Sequence, residues 1–72
     1  MAREWMKAAR ENAGKSQAEV AAELNISEGY YSYIENGKRM QRMELVFANQ
    51  LSRVLKVPLR RILDFESGYS TE

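Results

Sequence analysis

Two serines eleven positions apart, Ser16 and Ser27, are suited to the same chemistry, a hydroxyl that accepts a hydrogen bond from an unpaired amide at a helix start. Ser16-Gln17-Ala18-Glu19 reads as a capping box, in which the glutamate also reaches back to the serine amide, so a helix is predicted from Gln17. Val20, Ala21 and Leu24 follow at helical spacing on one face, and Asn25, which tolerates a left-handed backbone, stops the helix near Leu24. Ser27 opens a second short helix with Tyr31 and Ile34 as its buried stripe and Asn36-Gly37 as its end. The two flank a tight turn at Asn25 and Ile26, and the second runs straight into Glu35-Asn36-Gly37-Lys38-Arg39.

Other chemistry is excluded by what the chain lacks. It has no cysteine and no histidine, which removes disulfides, zinc-finger ligand sets, thiol nucleophiles and the usual general base together. Seventy-two residues suffice for one core of modest stability and leave no room for a deep catalytic cavity. No nucleophile-base pair or metal cluster can be assembled, so neither an enzyme, a metal, a cofactor nor a small-molecule substrate is expected. Apolar runs are far too short to span a bilayer and the opening Met-Ala-Arg-Glu-Trp is not a secretory leader, so no membrane partner is expected and a soluble cytoplasmic protein is.

The formal net charge is only +1, but its distribution is uneven. Lys38, Arg39, Arg42, Arg53, Lys56, Arg60 and Arg61 stand against the single Glu44 between positions 38 and 61, while the rest carries four basic and nine acidic residues. Basic charge therefore follows the second short helix.

The remaining elements complete an all-α reading. Arg3 to Ala13 is predicted as a first helix, with Met6, Ala9 and Ala13 on one stripe, Gly14 as its stop, and Trp5 as a partly buried edge residue. Leu45, Ala48, Leu51, Ser52 and Leu55, widened by Phe47 and Val54, predict a fourth helix over about Met43 to Leu55. Pro58 starts a fifth that carries Leu59, Ile62, Leu63 and Phe65. The reading is a compact domain of five short helices over residues 1–66, arranged as a helix-turn-helix, with a polar, frayed tail over 67–72.

Several motifs in order resemble one family. Gly14-Lys15-Ser16-Gln17 with Ala18-Glu19-Val20-Ala21, then Leu24-Asn25-Ile26-Ser27, Tyr31-Ser32, Ile34-Glu35-Asn36-Gly37-Lys38 and Val57-Pro58-Leu59 with Ile62-Leu63 are similar to the Cro/lambda-repressor (Xre-type) helix-turn-helix DNA-binding domains over nearly the whole length. The resemblance implies the five-helix lambda-repressor-like fold and double-stranded DNA as partner, with the helix opened by Ser27 in the major groove and the preceding helix fixing its angle. It puts Ser27, Glu28, Gly29, Ser32 and Tyr33 at groove-facing positions. Gln17 then contacts backbone phosphate and braces the recognition helix, and Asn36 holds phosphate after it. Ser16, Tyr30 and the loop cations Lys38, Arg39 and Arg42 are further phosphate candidates, Arg42 with a minor-groove alternative. Arg10 and Glu35 match a structural salt bridge, and Tyr31 and Ile34 match core positions.

The chain also departs from the family pattern. Glu28 is a carboxylate where a donor is common, able to accept from the exocyclic amine of cytosine but repelled by phosphate. Gly29 has no side chain with which to read a base, and the loop through Met40-Gln41-Arg42-Met43-Glu44 is longer than usual and lacks a proline. Lys56 stands in place of a glycine, and Arg60 and Arg61 in place of acidic residues where the helix dipole favours carboxylates. By resemblance the chain is expected to be a transcriptional regulator, a repressor acting as a homodimer on palindromic half-sites about one DNA turn apart. The last helix with Phe65 and Tyr69 is the expected subunit interface. The alternative is a protein-interaction module of the same fold, an antitoxin-type domain whose aromatic helix binds a protein partner.

Overall fold

The computed structural model describes residues 2–69 and folds them into five helices, α1 (Glu4–Asn12), α2 (Gln17–Leu24), α3 (Glu28–Glu35), α4 (Leu45–Leu55) and α5 (Leu59–Tyr69). The longest has eleven residues, too few to persist alone in water, so packing must hold them. Local chemistry sets where they begin and end. Ser16 Oγ accepts the Glu19 amide at 3.1 Å while the Glu19 carboxylate accepts the Ser16 amide at 2.8 Å, and α2 closes on Asn25 at φ +62°. Ser27 Oγ accepts the Tyr30 amide at 3.1 Å to open α3. Gly37, at φ +76°, turns the chain away beyond its end.

The core is one cluster: Met6 of α1, Val20, Ala21 and Leu24 of α2, Tyr31 and Ile34 of α3, Phe47, Ala48, Leu51 and Leu55 of α4, and Ile62 of α5. α2 packs against both α3 and α4, α4 against α5, and α1 against α3. α4 thus packs against α2, the helix that leads into the turn before α3. No helix among the described residues is long and apolar enough to cross a membrane.

Four expectations change. Leu45 is 64% exposed, because α4 begins there rather than at Met43 and the buried stripe runs through Phe47, Ala48, Leu51 and Leu55; Leu45 lies about 120° round the helix from Leu51. Leu63 is exposed for a similar reason, and the α5 stripe continues from Ile62 to the buried carboxylate Glu66. α1 begins at Glu4 and ends at Asn12, with Arg10 buried beside Met6, Ala9 half-buried against the core and Ala13 past the helix end. Residues 67–69, expected as frayed tail, continue α5, while residues 70–72 and the Tyr69 side chain lie outside the described residues.

Arg3, read from sequence only as the first residue of a helix, is fully buried. Its guanidinium meets Glu66 at 2.8 and 3.1 Å and donates to the carbonyls of Ile34 at 2.8 Å, Arg39 at 3.3 Å, Gln41 at 3.4 Å, and Met40. Its own amide donates to Glu35 O at 2.8 Å. One residue therefore satisfies carbonyls at the end of α3, where a cation also complements the helix dipole, and fixes the loop that follows. Trp5 Nε1 also donates to Glu66, at 2.8 Å. Met40 sits at φ +54° and Lys56 at φ +57°, conformations that cost a side-chain-bearing residue about 1 kcal/mol each. The hydrogen bond from Arg3 to Met40 O offsets that strain in the loop; at Lys56 the Lys56 and Val57 amides both donate to Ser52 O, and Ser52 Oγ donates to Val57 O at 2.6 Å.

Candidate nucleic-acid interface

α3 presents two unlike faces because its apolar residues recur only at Tyr31 and Ile34. Those two are fully buried and Glu35 nearly so. Ser27, Glu28 and Gly29 are exposed at its leading end, with Tyr30 at 39% and Tyr33 at 50%. Ser32 is half-buried, its hydroxyl accepting from Asn36 Nδ2 at 3.2 Å. Of the groove-facing candidates, Ser27, Glu28, Gly29 and Tyr33 thus open to solvent and Ser32 lies at the edge of the ridge. With Ser27 Oγ occupied by Tyr30 N–H, the Glu28 and Gly29 amides remain as the outward donors of the first turn. Such a terminus favours negative charge, which gives Glu28 a reason to be there that involves no base. A Cβ built on Gly29 would meet nothing within 4 Å, so no packing within the chain demands glycine.

The inner face of α3 is pinned through one carboxylate. Arg10 Nε and Nη2 donate to Glu35 at 2.9 and 3.3 Å, Gln17 Nε2 at 2.7 Å and the Tyr31 hydroxyl at 3.0 Å. Arg10 Nη1 also donates to Lys15 O at 3.0 Å. Burial by itself would raise the Glu35 carboxyl, but the hydrogen bonds from Arg10, Gln17 and Tyr31 together hold it below its ordinary value. Burial, and then the adjacent Glu35 charge, push the Tyr31 hydroxyl well above its own. The hydrogen bond to Glu35 likewise raises Arg10, against its own desolvation. Gln17 is thus a brace between α2 and α3, with one of its two amide hydrogens turned inward to Glu35. Ser16 has its backbone amide and one lone pair engaged by Glu19, so only its hydroxyl proton remains for an anion.

The candidate phosphate contacts after α3 sit on a loop with no ladder of its own. Lys38 and Arg39 amides both donate to Tyr33 O, at 2.8 and 3.2 Å, Gln41 Nε2 donates to Gly37 O at 3.0 Å, and Arg3 holds three carbonyls from beneath. Asn36, Lys38, Arg39 and Arg42 are exposed, and the three cations form no ion pair among the described residues. The exposed ridge of α3 and the loop cations that follow it in sequence thus rest on two clamps, Arg10 with Glu35 and Arg3 with Glu66. The second clamp is what sequence reasoning missed; its signals were an arginine just ahead of the first helix and a glutamate one turn past Ile62 on the α5 stripe.

Among the described residues no three acidic or other ligating side chains gather into a metal site. Compared with known proteins, residues 6–62 match a family model described as helix-turn-helix. No curated protein and no solved structure gives a match.

Proposed function

The chain belongs to the Cro/lambda-repressor (Xre-type) helix-turn-helix family and is a DNA-binding regulator, and from that premise we propose that it is a repressor that reads palindromic half-sites as a homodimer through α3. The observation that carries this reading is the split character of α3, buried and clamped on one side and open along Ser27, Glu28, Gly29, Tyr30 and Tyr33 on the other. Amide donors at the start of α3 and the cations Lys38, Arg39 and Arg42 straddle the ridge in sequence, matching a duplex whose phosphates flank the groove. Glu28 accepts from a cytosine amine, Tyr33 lays its ring against a thymine methyl or bonds phosphate, and Gly29 lets the backbone approach closely. Gln17 and Asn36 serve phosphate in addition to their contacts with Glu35 and Ser32.

Binding to the DNA upstream of its own gene across a salt series tests this. Affinity should fall by about 0.9 log units per log unit of salt for every phosphate neutralised. Alanine at Gln17 or Asn36 should weaken binding while the fold persists; unchanged affinity in both removes the proposed phosphate contacts. A second reading, a module that binds a protein partner, is favoured by the exposed Tyr30 and Tyr33 beside the Glu28 carboxylate. Salt-insensitive capture of a protein, with no DNA affinity, would select it.

A further inference from the structure

A groove of about 640 Å³ opens between α1, the end of α4 and the start of α5. That volume lies in the range of small-molecule sites. Its walls are apolar: the rings of Trp5 and Phe65, stacked at 5.2 Å between centroids, stand with Val54, Val57 and Pro58. Its charged lining residues are all cations, Lys15, Lys56 and Arg61, with no carboxylate among them. Lys15 is already engaged by Glu23 at 2.9 Å and Val54 O at 3.1 Å. Lys56 and Arg61 have no ion-pair partner among the described residues, and the Arg61 guanidinium lies over the Phe65 ring at 5.4 Å.

Both free cations occupy positions that the local backbone disfavours. Lys56 ends α4 in the left-handed region, where glycine is unstrained. Arg61 is in the first turn of α5, at the end of the helix dipole that favours anions. Two unrelated local penalties converge on one cleft; the Lys56 and Val57 amides close the turn on Ser52 O and Arg61 lies over Phe65, but neither cationic head meets a carboxylate among the described residues. An occupant that is anionic at one end and apolar at the other would pair both cationic heads and cover the apolar walls.

The geometry points to a binding site for a small organic carboxylate with an aromatic or branched aliphatic body, the body against Trp5 and Phe65 and the carboxylate between Lys56 and Arg61. A bare inorganic anion would leave the apolar walls wet, and a neutral hydrophobe would leave the cations unmatched. None of the lining residues belongs to α2 or α3, so the inference stands apart from the DNA-binding reading.

Trp5 is the single tryptophan, which makes its fluorescence a direct reporter of the site. Titration of the intact chain with 3-phenylpropionate and with 4-methylpentanoate should give a saturable change for at least one of them. The matching neutral amides should bind at least about tenfold more weakly, as should the Lys56→Gln/Arg61→Gln double variant, while Lys38→Gln should match the parent. Lys56→Gly should raise the melting temperature by removing backbone strain and yet lower carboxylate affinity. No saturable response to either acid into the millimolar range, equal affinity for acid and amide, or undiminished affinity in Lys56→Gly would each overturn the assignment. Should the double variant lose its helical signal, Arg61→Gln alone supplies the same comparison.

Discussion

Arg10 and Arg3 are both buried against glutamates, but they hold different kinds of structure. Arg10 joins one helix to another through the Glu35 side chain, with a single backbone contact at Lys15 O, and Glu35 also collects Gln17 and Tyr31. Arg3 joins Glu66 to four backbone carbonyls, three of them in the irregular segment after α3. The contrast follows from what each region can do for itself. A helix carries its own hydrogen-bond ladder, so a single anchored carboxylate is enough to set the pose of α3. The loop has almost no ladder, and only a planar group with five donors can fix several of its carbonyls at once.

Removing Arg3 should therefore be the most damaging substitution. Arg3→Met takes the cation from buried Glu66 and the side-chain donor from the Arg39, Met40 and Gln41 carbonyls, and should cost about 4 kcal/mol in denaturant unfolding. It should also speed amide exchange at Lys38 and Arg39 and reduce the salt dependence of DNA binding. Arg3→Lys, a point charge without the fork, should recover little; full recovery would break the distinction between the two arginines. Arg10→Met should cost about 3 kcal/mol and leave exchange in the loop unchanged. If the two variants loosen the loop equally, the clamps are not separate.

Acid sharpens the same comparison. Because the native environment holds Glu35 below its ordinary value of 4.5, its contribution to stability is present above that pH and is lost as the pH falls through the lower native value. Thermal melts across that window should show a loss of stability that is smaller in Arg10→Met, where the principal partner of Glu35 is gone. Tyr31→Phe, which deletes one hydrogen bond to the carboxylate, should cost about 1.5 kcal/mol at neutral pH and leave the acid loss largely in place. Gly29→Ala touches neither clamp and sets the baseline. It should leave stability unchanged or raise it by up to about 1 kcal/mol while weakening DNA binding, and equal DNA affinity would show that no close backbone approach is made there.

What could be read from the chain was what neighbouring residues decide. Ser16 with Glu19, Asn25 and Ser27 act within a turn of themselves, and the α2 and α3 stripes have the simple spacing of helices packed on one side. The α4 and α5 stripes were harder, since Leu45 and Leu63 have the right spacing to a buried residue but stand at the edge of the face that neighbours cover. The Arg3 contacts reach 31 to 38 positions along the chain and 63 to Glu66, and no local pattern encodes them. The left-handed turn at Met40 was invisible for the same reason, because what holds it is Arg3, just ahead of α1. The outer face of α3 was identified through family resemblance, whereas the apolar inner face was plain from Tyr31 and Ile34.

The bond between Arg3 and Glu66 also has a consequence for how the molecule comes into being. On a ribosome these partners emerge 63 residues apart, so the knot they form can be tied only when nearly all of α5 has left the exit tunnel. The segment bearing Lys38, Arg39 and Arg42 consequently acquires its final shape late, after the helices on either side of it have been synthesised. The loop cations therefore take up their final arrangement only once Glu66 has emerged, however early the helices beside them form.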